Sequence, residues 1–321
     1  MKKFIWVLLL SSMLFLTFEV GSAQQEAAGK EDQSSWAFPT PSKVQPAEDN
    51  GAPRHVPGST KSYTIAEIED LSNPPDWFPN QHPPAPRVVV HGAGKDVLAC
   101  GACHLMSGFG HPESANLAGL PAAYIEAQME DFKGDARIDK ARMNGIGRAI
   151  SDDDIRASAE YFASLKPKPW VKVTETETVP QTWVSRTRMR FPLPGGDTEP
   201  IGDRIIEVPQ NPELAENRDP DSGFIAYVPI GSVKKGEFLV TTGGGGVTVG
   251  CANCHGEKLT GGSFGEPPLA GRSPSYIARQ LYGFKRFTRN GPGAQLMQPV
   301  VENLSDKDIL DITAYLASLK L

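Results

Sequence analysis

Every cysteine in this 321-residue chain belongs to one of two short motifs. Cys100-Gly101-Ala102-Cys103 is followed directly by His104, and Cys251-Ala252-Asn253-Cys254 by His255. Two thiols at this spacing, with an imidazole next in line, form the pattern of covalent c-type haem attachment. The thiols add across two vinyl groups of the porphyrin, so their separation has to match the vinyl separation. One helical turn then carries the imidazole under the ring, within reach of the iron. Three other chemistries use such pairs. A zinc centre built from two C-x-x-C pairs does not require His after each. A thioredoxin-like redox pair sits beside a βαβ pattern, and none is visible here. A disulfide within either pair would close a very tight loop. The double motif assigns Cys100, Cys103, Cys251 and Cys254 to two covalent haem c groups, and His104 and His255 to their irons.

The start of the chain reads as an export signal. Lys2 and Lys3 precede an apolar run from Phe4 to Leu16, broken only by Ser11 and Ser12. Gly21-Ser22-Ala23 supplies small residues for cleavage before Gln24. The alternative, a retained anchor, is disfavoured by the short apolar core, and no later stretch is long and apolar enough to span a bilayer. Lys and Arg number 32 against 38 Asp and Glu, a net charge of −6, which argues against non-specific nucleic-acid binding.

The two motifs lie in an internal repeat. Leu117-Ala118-Gly119, Tyr124-Ile125 and Phe132-Lys133 follow the first; Leu269-Ala270-Gly271, Tyr276-Ile277 and Phe284-Lys285 follow the second. Ile125, Met129 and Phe132 recur at helical intervals, as do Ile277, Leu281 and Phe284. Met143 precedes Ser151 by eight residues, and Met297 precedes Ser305 by eight. Ser151 and Ser305, each followed by acids, read as helix N-caps. Each repeat is therefore expected to run from haem motif through middle helix and Met-bearing loop to a C-terminal helix. The alignment selects Met143 and Met297 as sixth ligands, and a thioether paired with His raises the reduction potential relative to two His. Met129, opposite Leu281, reads as core. Met106 is too close to His104 to reach the other haem face, and Met189 lies outside both repeats. His55, His82, His91 and His111 read as surface or haem-edge residues; His82 or His91 replaces Met143 only if the N-terminal segment folds over the first haem.

With these motifs, Pro299 beside Met297 and the paired final helices, the sequence resembles the bacterial periplasmic two-haem, class-I-like cytochromes c. The resemblance covers residues 88–167 and 233–321. It implies His/Met-ligated domains, each packing an N-terminal helix against the C-terminal one with the haem between, and it implies a periplasmic location. The chain departs from that pattern in three places. The stretch before Cys100 contains Pro86, Gly92 and Gly94, so its N-terminal helix is expected to be short. Gly243 to Gly246 interrupt a helix opening near Lys235; without G-x-G-x-x-G spacing or a following G-K-[ST], they read as a bend. A long segment joins the two domains.

The expected fold class is mostly α. A signal peptide at 1–23 precedes an extended Pro-rich arm at 24–87, and haem domains at 88–167 and 233–321 flank a small β or irregular linker at 168–232. Thr64 to Leu71 reads as a short capped helix. Trp36, Phe38, Trp77 and Phe78 imply that the arm docks on a haem domain; a partner-binding arm is the alternative. Val171 to Val179, Ile205 to Val208 and Phe224 to Val228 read as strands, and Asp219 and Asp221 as a solvated loop. The expected function is electron transfer between a redox protein donor and acceptor, with no membrane span after signal cleavage, because a haem with both axial positions filled has no open site for substrate. The alternatives are a two-haem peroxidase or sulfur-compound dehydrogenase with the first haem reactive, or the cytochrome subunit of a larger dehydrogenase complex.

Overall fold

The structure, a computed structural model, describes residues 33–43 and 51–321. The expected signal at 1–23 lies outside them, as does part of the arm.

Helix α1 (Ile65–Ile68) begins at a capping box, in which the Thr64 hydroxyl accepts from Glu67 N and the Glu67 carboxylate accepts from Thr64 N. α2 (Arg87–Val90), the helix before the first motif, is a single turn, and Val88 and Val89 are buried. α3 (Gly101–His104) carries the motif itself. α4 (Ala122–Lys133), α5 (Met143–Ala149) and α6 (Asp152–Ser164) complete the first repeat. Met143 is therefore the first residue of a helix and not part of a loop.

Strands β1 (Val171–Thr176), β2 (Thr178–Pro180), β3 (Thr182–Val184), β4 (Arg190–Pro192), β5 (Thr198–Pro200) and β6 (Ile206–Pro209) follow. α7 (Pro212–Glu216) and β7 (Phe224–Pro229) close this segment. β7 pairs parallel with β1 and antiparallel with β6, while β2 pairs with β5 and β3 with β4 in two antiparallel ribbons. Alternate residues of β7 point inward, as a half-buried strand requires. Phe224 enters the core of the first repeat, whereas Ala226 and Val228 enter that of the second. The sheet thereby ties the two cores together.

The second repeat consists of α8 (Ser232–Thr242), α9 (Ala252–His255), α10 (Pro274–Lys285), a 3-10 turn (Pro292–Met297), α11 (Gln298–Val301) and α12 (Asp306–Ser318). Gly243 ends α8 at φ +74°, a left-handed C-cap that favours glycine, so the glycine run is a bend as read. Ser151 and Ser305 cap α6 and α12 through their side chains. Among the described residues, no helix is long and apolar enough to cross a membrane.

The arm packs against more than a haem domain. Trp77 is buried with Val56 and Ile68, and its Nε1 donates to Asn217 O at 2.7 Å, in the segment between the repeats. Trp36 and Ala37 enter the core of the second repeat. Phe38 stays partly exposed under the Arg286 guanidinium.

Candidate haem sites

Both motif helices hold their histidines in the same way. His104 Nδ1 lies 2.8 Å from Ala115 O, and His255 Nδ1 lies 2.8 Å from Pro267 O. A carbonyl oxygen only accepts, so each Nδ1 carries the proton and each Nε2 keeps its lone pair. This is the arrangement that orients a metal-binding imidazole. Burial lowers the pKa of both rings, which favours the neutral form a metal requires. The Phe162 ring meets His104 edge-on at 6.2 Å.

Cys100 and Met143 pack against the core of the first repeat, and Cys251 and Met297 against that of the second. One cysteine of each pair therefore packs on its own core, and a single four-cysteine zinc centre does not match this geometry. Burial pushes the Cys100 thiol up to about 12 and the Cys251 thiol up to about 11. A redox-active or metal-binding cysteine needs a lowered pKa, so these thiols are not preset as thiolates. Cys254 is exposed at the surface, whereas burial raises the pKa of Cys103. Among the other methionines, Met106, Met129 and Met189 are all buried in the first core.

The remaining histidines diverge. His55 and His91 are exposed. His82 approaches Asp76 at 3.2 Å and meets Tyr161 edge-on. His111 is not at the surface: it is buried against Phe224. Asp219 is also buried, and its Oδ1 accepts from Asp221 N at 2.9 Å within a turn.

The join between the repeats was not foreseen. Arg137 and Arg289, at matching positions, pair in an antiparallel bridge. Ile138 N donates to Thr288 O at 2.8 Å, and Asn290 N donates to Ala136 O at 2.6 Å. The side chains then cross. Arg137 donates to Gln128 at 2.8 Å in its own repeat and to Gln280 at 2.7 Å in the other. Arg289 donates to Tyr124 at 2.7 Å and to Gln128 at 2.8 Å. Arg289 Nε is buried without a partner. Arg272, just ahead of α10, donates to Asn116 O, and Arg279 on α10 donates to Pro112 O and Ala37 O. Burial lowers the pKa of Arg272, Arg279 and Arg289. This inter-repeat layer is cationic and only partly satisfied by its own acceptors.

The cytochrome c family model matches residues 233–320. The chain is 27% identical over 230 residues to the thiosulfate dehydrogenase electron acceptor of Thiomonas intermedia, covering 70% of this chain and 81% of that protein. It is 30% identical over 240 residues to cytochrome c4 of Azotobacter vinelandii, covering 71% of this chain and 87% of that protein. A solved structure of thiosulfate dehydrogenase (TsdBA) from Marichromatium purpuratum aligns with a TM-score of 0.48 at 25% identity. That alignment covers 71% of this chain and 38% of the solved one, so the chain spans well under half of that relative.

Proposed function

This chain belongs to the cytochrome c4 family of two-haem bacterial electron-transfer proteins, and we propose that its haems are attached at Cys100/Cys103 and at Cys251/Cys254. In this reading His104 and Met143 bind one iron, and His255 and Met297 bind the other. The haem supplies one-electron chemistry, and the protein supplies attachment, orientation and electrostatics.

The observation that carries the reading is the pair of Nδ1-to-carbonyl bonds, made by equivalent histidines in the two repeats. These bonds fix the tautomer and leave Nε2 free to bind a metal. The buried cationic layer between the repeats suits the carboxylates that a haem carries, and the unpartnered Arg289 Nε offers one donor for them. Each core holds a half-buried cysteine and methionine against apolar side chains.

Such a protein takes electrons from one redox protein and gives them to another. Periplasmic location is part of this reading, with residues 1–23 serving as the export signal.

The test is ligand exchange at the iron. The purified ferric protein, mixed with cyanide and separately with hydrogen peroxide, is expected to keep its spectrum on the seconds scale and to turn over no peroxide. Rapid cyanide binding or turnover at one haem would replace the carrier reading with an enzymatic one, located at the first haem.

A further inference from the structure

The loop between His104 and Ala115 carries a half-buried acid for which simple electron carriage has no use. Glu113 lies two residues before the carbonyl that holds His104. Its Oε1 is 3.5 Å from His111 Nδ1. Its Oε2 is buried with no hydrogen-bond partner. Glu207, on β6, is fully buried. Its Oε2 accepts from Ser273 Oγ at 2.8 Å and from Ser275 N at 3.4 Å, while its Oε1 has no partner. Both acids line a cavity of about 20 Å³, enough for one water.

The charged groups around Glu113 come from every neighbouring element. Arg279 faces it from α10, Arg218 from the turn after α7, and Glu207 from β6. Arg188 and Arg190, on the β3–β4 ribbon, line the same cavity. His111 is nearest on its own loop, but burial pushes its pKa down to about 3, so it is neutral at ordinary pH and gives Glu113 no counter-charge. Burial outweighs the arginines and pushes the Glu113 carboxyl up to about 7. Its side chain is still 16% exposed, so protons can reach it from water.

The second repeat has no equivalent. Its loop from His255 to Pro267 carries exposed Ser263, Phe264 and Gly265 where the first has buried His111 and Pro112. Glu266 there is partly exposed, and its Oε2 accepts from Phe264 N at 3.0 Å.

We propose that Glu113 is a redox-linked proton site, which takes up one proton from water when the first haem is reduced and releases it when that haem is oxidised. Electron transfer at the first haem is thereby coupled to a proton, and electron transfer at the second is not. One electron arrives at the iron from its donor, one proton arrives at Glu113 Oε2, and the only bond formed is O–H. The sign follows from charge: the oxidised haem carries one more positive charge and so holds the proton more weakly. The midpoint potential therefore falls as pH rises, from the carboxyl pKa of the oxidised state up to that of the reduced state. The inference rests on the reading of Cys100, Cys103 and His104 as the first haem site.

The test is spectroelectrochemical titration of the two-haem protein between about pH 5 and pH 9, on either side of the raised Glu113 carboxyl at about 7. One of the two midpoints is expected to fall with rising pH. A tenfold difference in proton affinity between oxidation states moves it by about 59 mV. In Glu113→Gln the amide imitates the protonated acid, so that midpoint is expected to stay at its acid-side value at every pH, with the other midpoint unchanged. Should the variant fold poorly, infrared difference spectra of the unsubstituted protein give the same answer. Reduction near neutral pH is expected to add a protonated-carboxyl band that shifts on labelling with isotopic glutamate. Two haems with flat midpoints, a slope that persists in Glu113→Gln, or no new carboxyl band would each overturn the proposal. A chain with no haem on Cys100 and Cys103 would overturn the site reading, and the proposal with it.

Discussion

Replacing Met297 with histidine is expected to lower the midpoint of the second haem by on the order of 0.2 V, out of the ~0.8 V that axial ligation spans. A thioether is neutral and soft and favours the ferrous iron, whereas a second imidazole stabilises the ferric state. Met143 packs on a separate core from Met297, so the first haem should keep its midpoint. The weak red absorption of Met-ligated ferric iron should fall by about half, since one of two haems keeps its thioether. Potentiometric titration followed in the visible spectrum reads both effects. Unchanged midpoints would remove Met297 from the iron. The matching Met143→His change is an independent test, because Met143 starts helix α5 whereas Met297 ends a 3-10 turn.

The second large effect is structural. Gly236→Ala should destabilise the protein by about 3 kcal/mol or more, at the upper end of overpacking costs. Helix α8 crosses α12 at this residue. A Cβ on Gly236 would lie 1.9 Å from Asp311 O and 2.7 Å from Tyr315 Cβ. The first is a backbone atom inside a helix, so the strain cannot be relieved by turning a side chain, and the helices have to separate. They line the core that holds Cys251 and Met297, so haem retention in the second repeat should weaken as well. Thermal unfolding followed by circular dichroism checks this, with a midpoint expected to fall by about 10 °C. A shift of only a degree or two would mean that the crossing tolerates a methyl group. The first repeat meets the same need differently, with a one-turn helix whose Val88 and Val89 are buried.

What the sequence made legible was local or repeated. The C-x-x-C-H motifs, the Ser151 and Ser305 caps and the helical spacing around Met129 and Leu281 depend on neighbours within a few turns. The stretch from Val171 alternates polar and apolar residues, as a half-exposed strand does, whereas the strand near 205 is buried throughout. The join between the repeats depends on residues about 150 positions apart, and no local pattern encodes that pairing. A signal for it was present: Arg137 and Arg289 follow the aligned Phe132 and Phe284 by five residues, with Tyr124 and Gln128 matched by Tyr276 and Gln280. Polar identities kept at equal offsets on packing helices mark a shared surface. Glu207 and Asp219 were harder to read, because acids are rarely buried and a sequence does not show which loop will cover them. The burial of His111 likewise depends on Phe224, a residue more than a hundred positions away.

The most direct test of the account is to map haem onto the chain. The protein is purified from a host that matures cytochromes c, its haem is quantified, and its proteolytic peptides are weighed. Two haems per chain are expected, one on the peptide containing Cys100 and Cys103 and one on the peptide containing Cys251 and Cys254. Free thiols at either pair, or a single haem per chain, would contradict it.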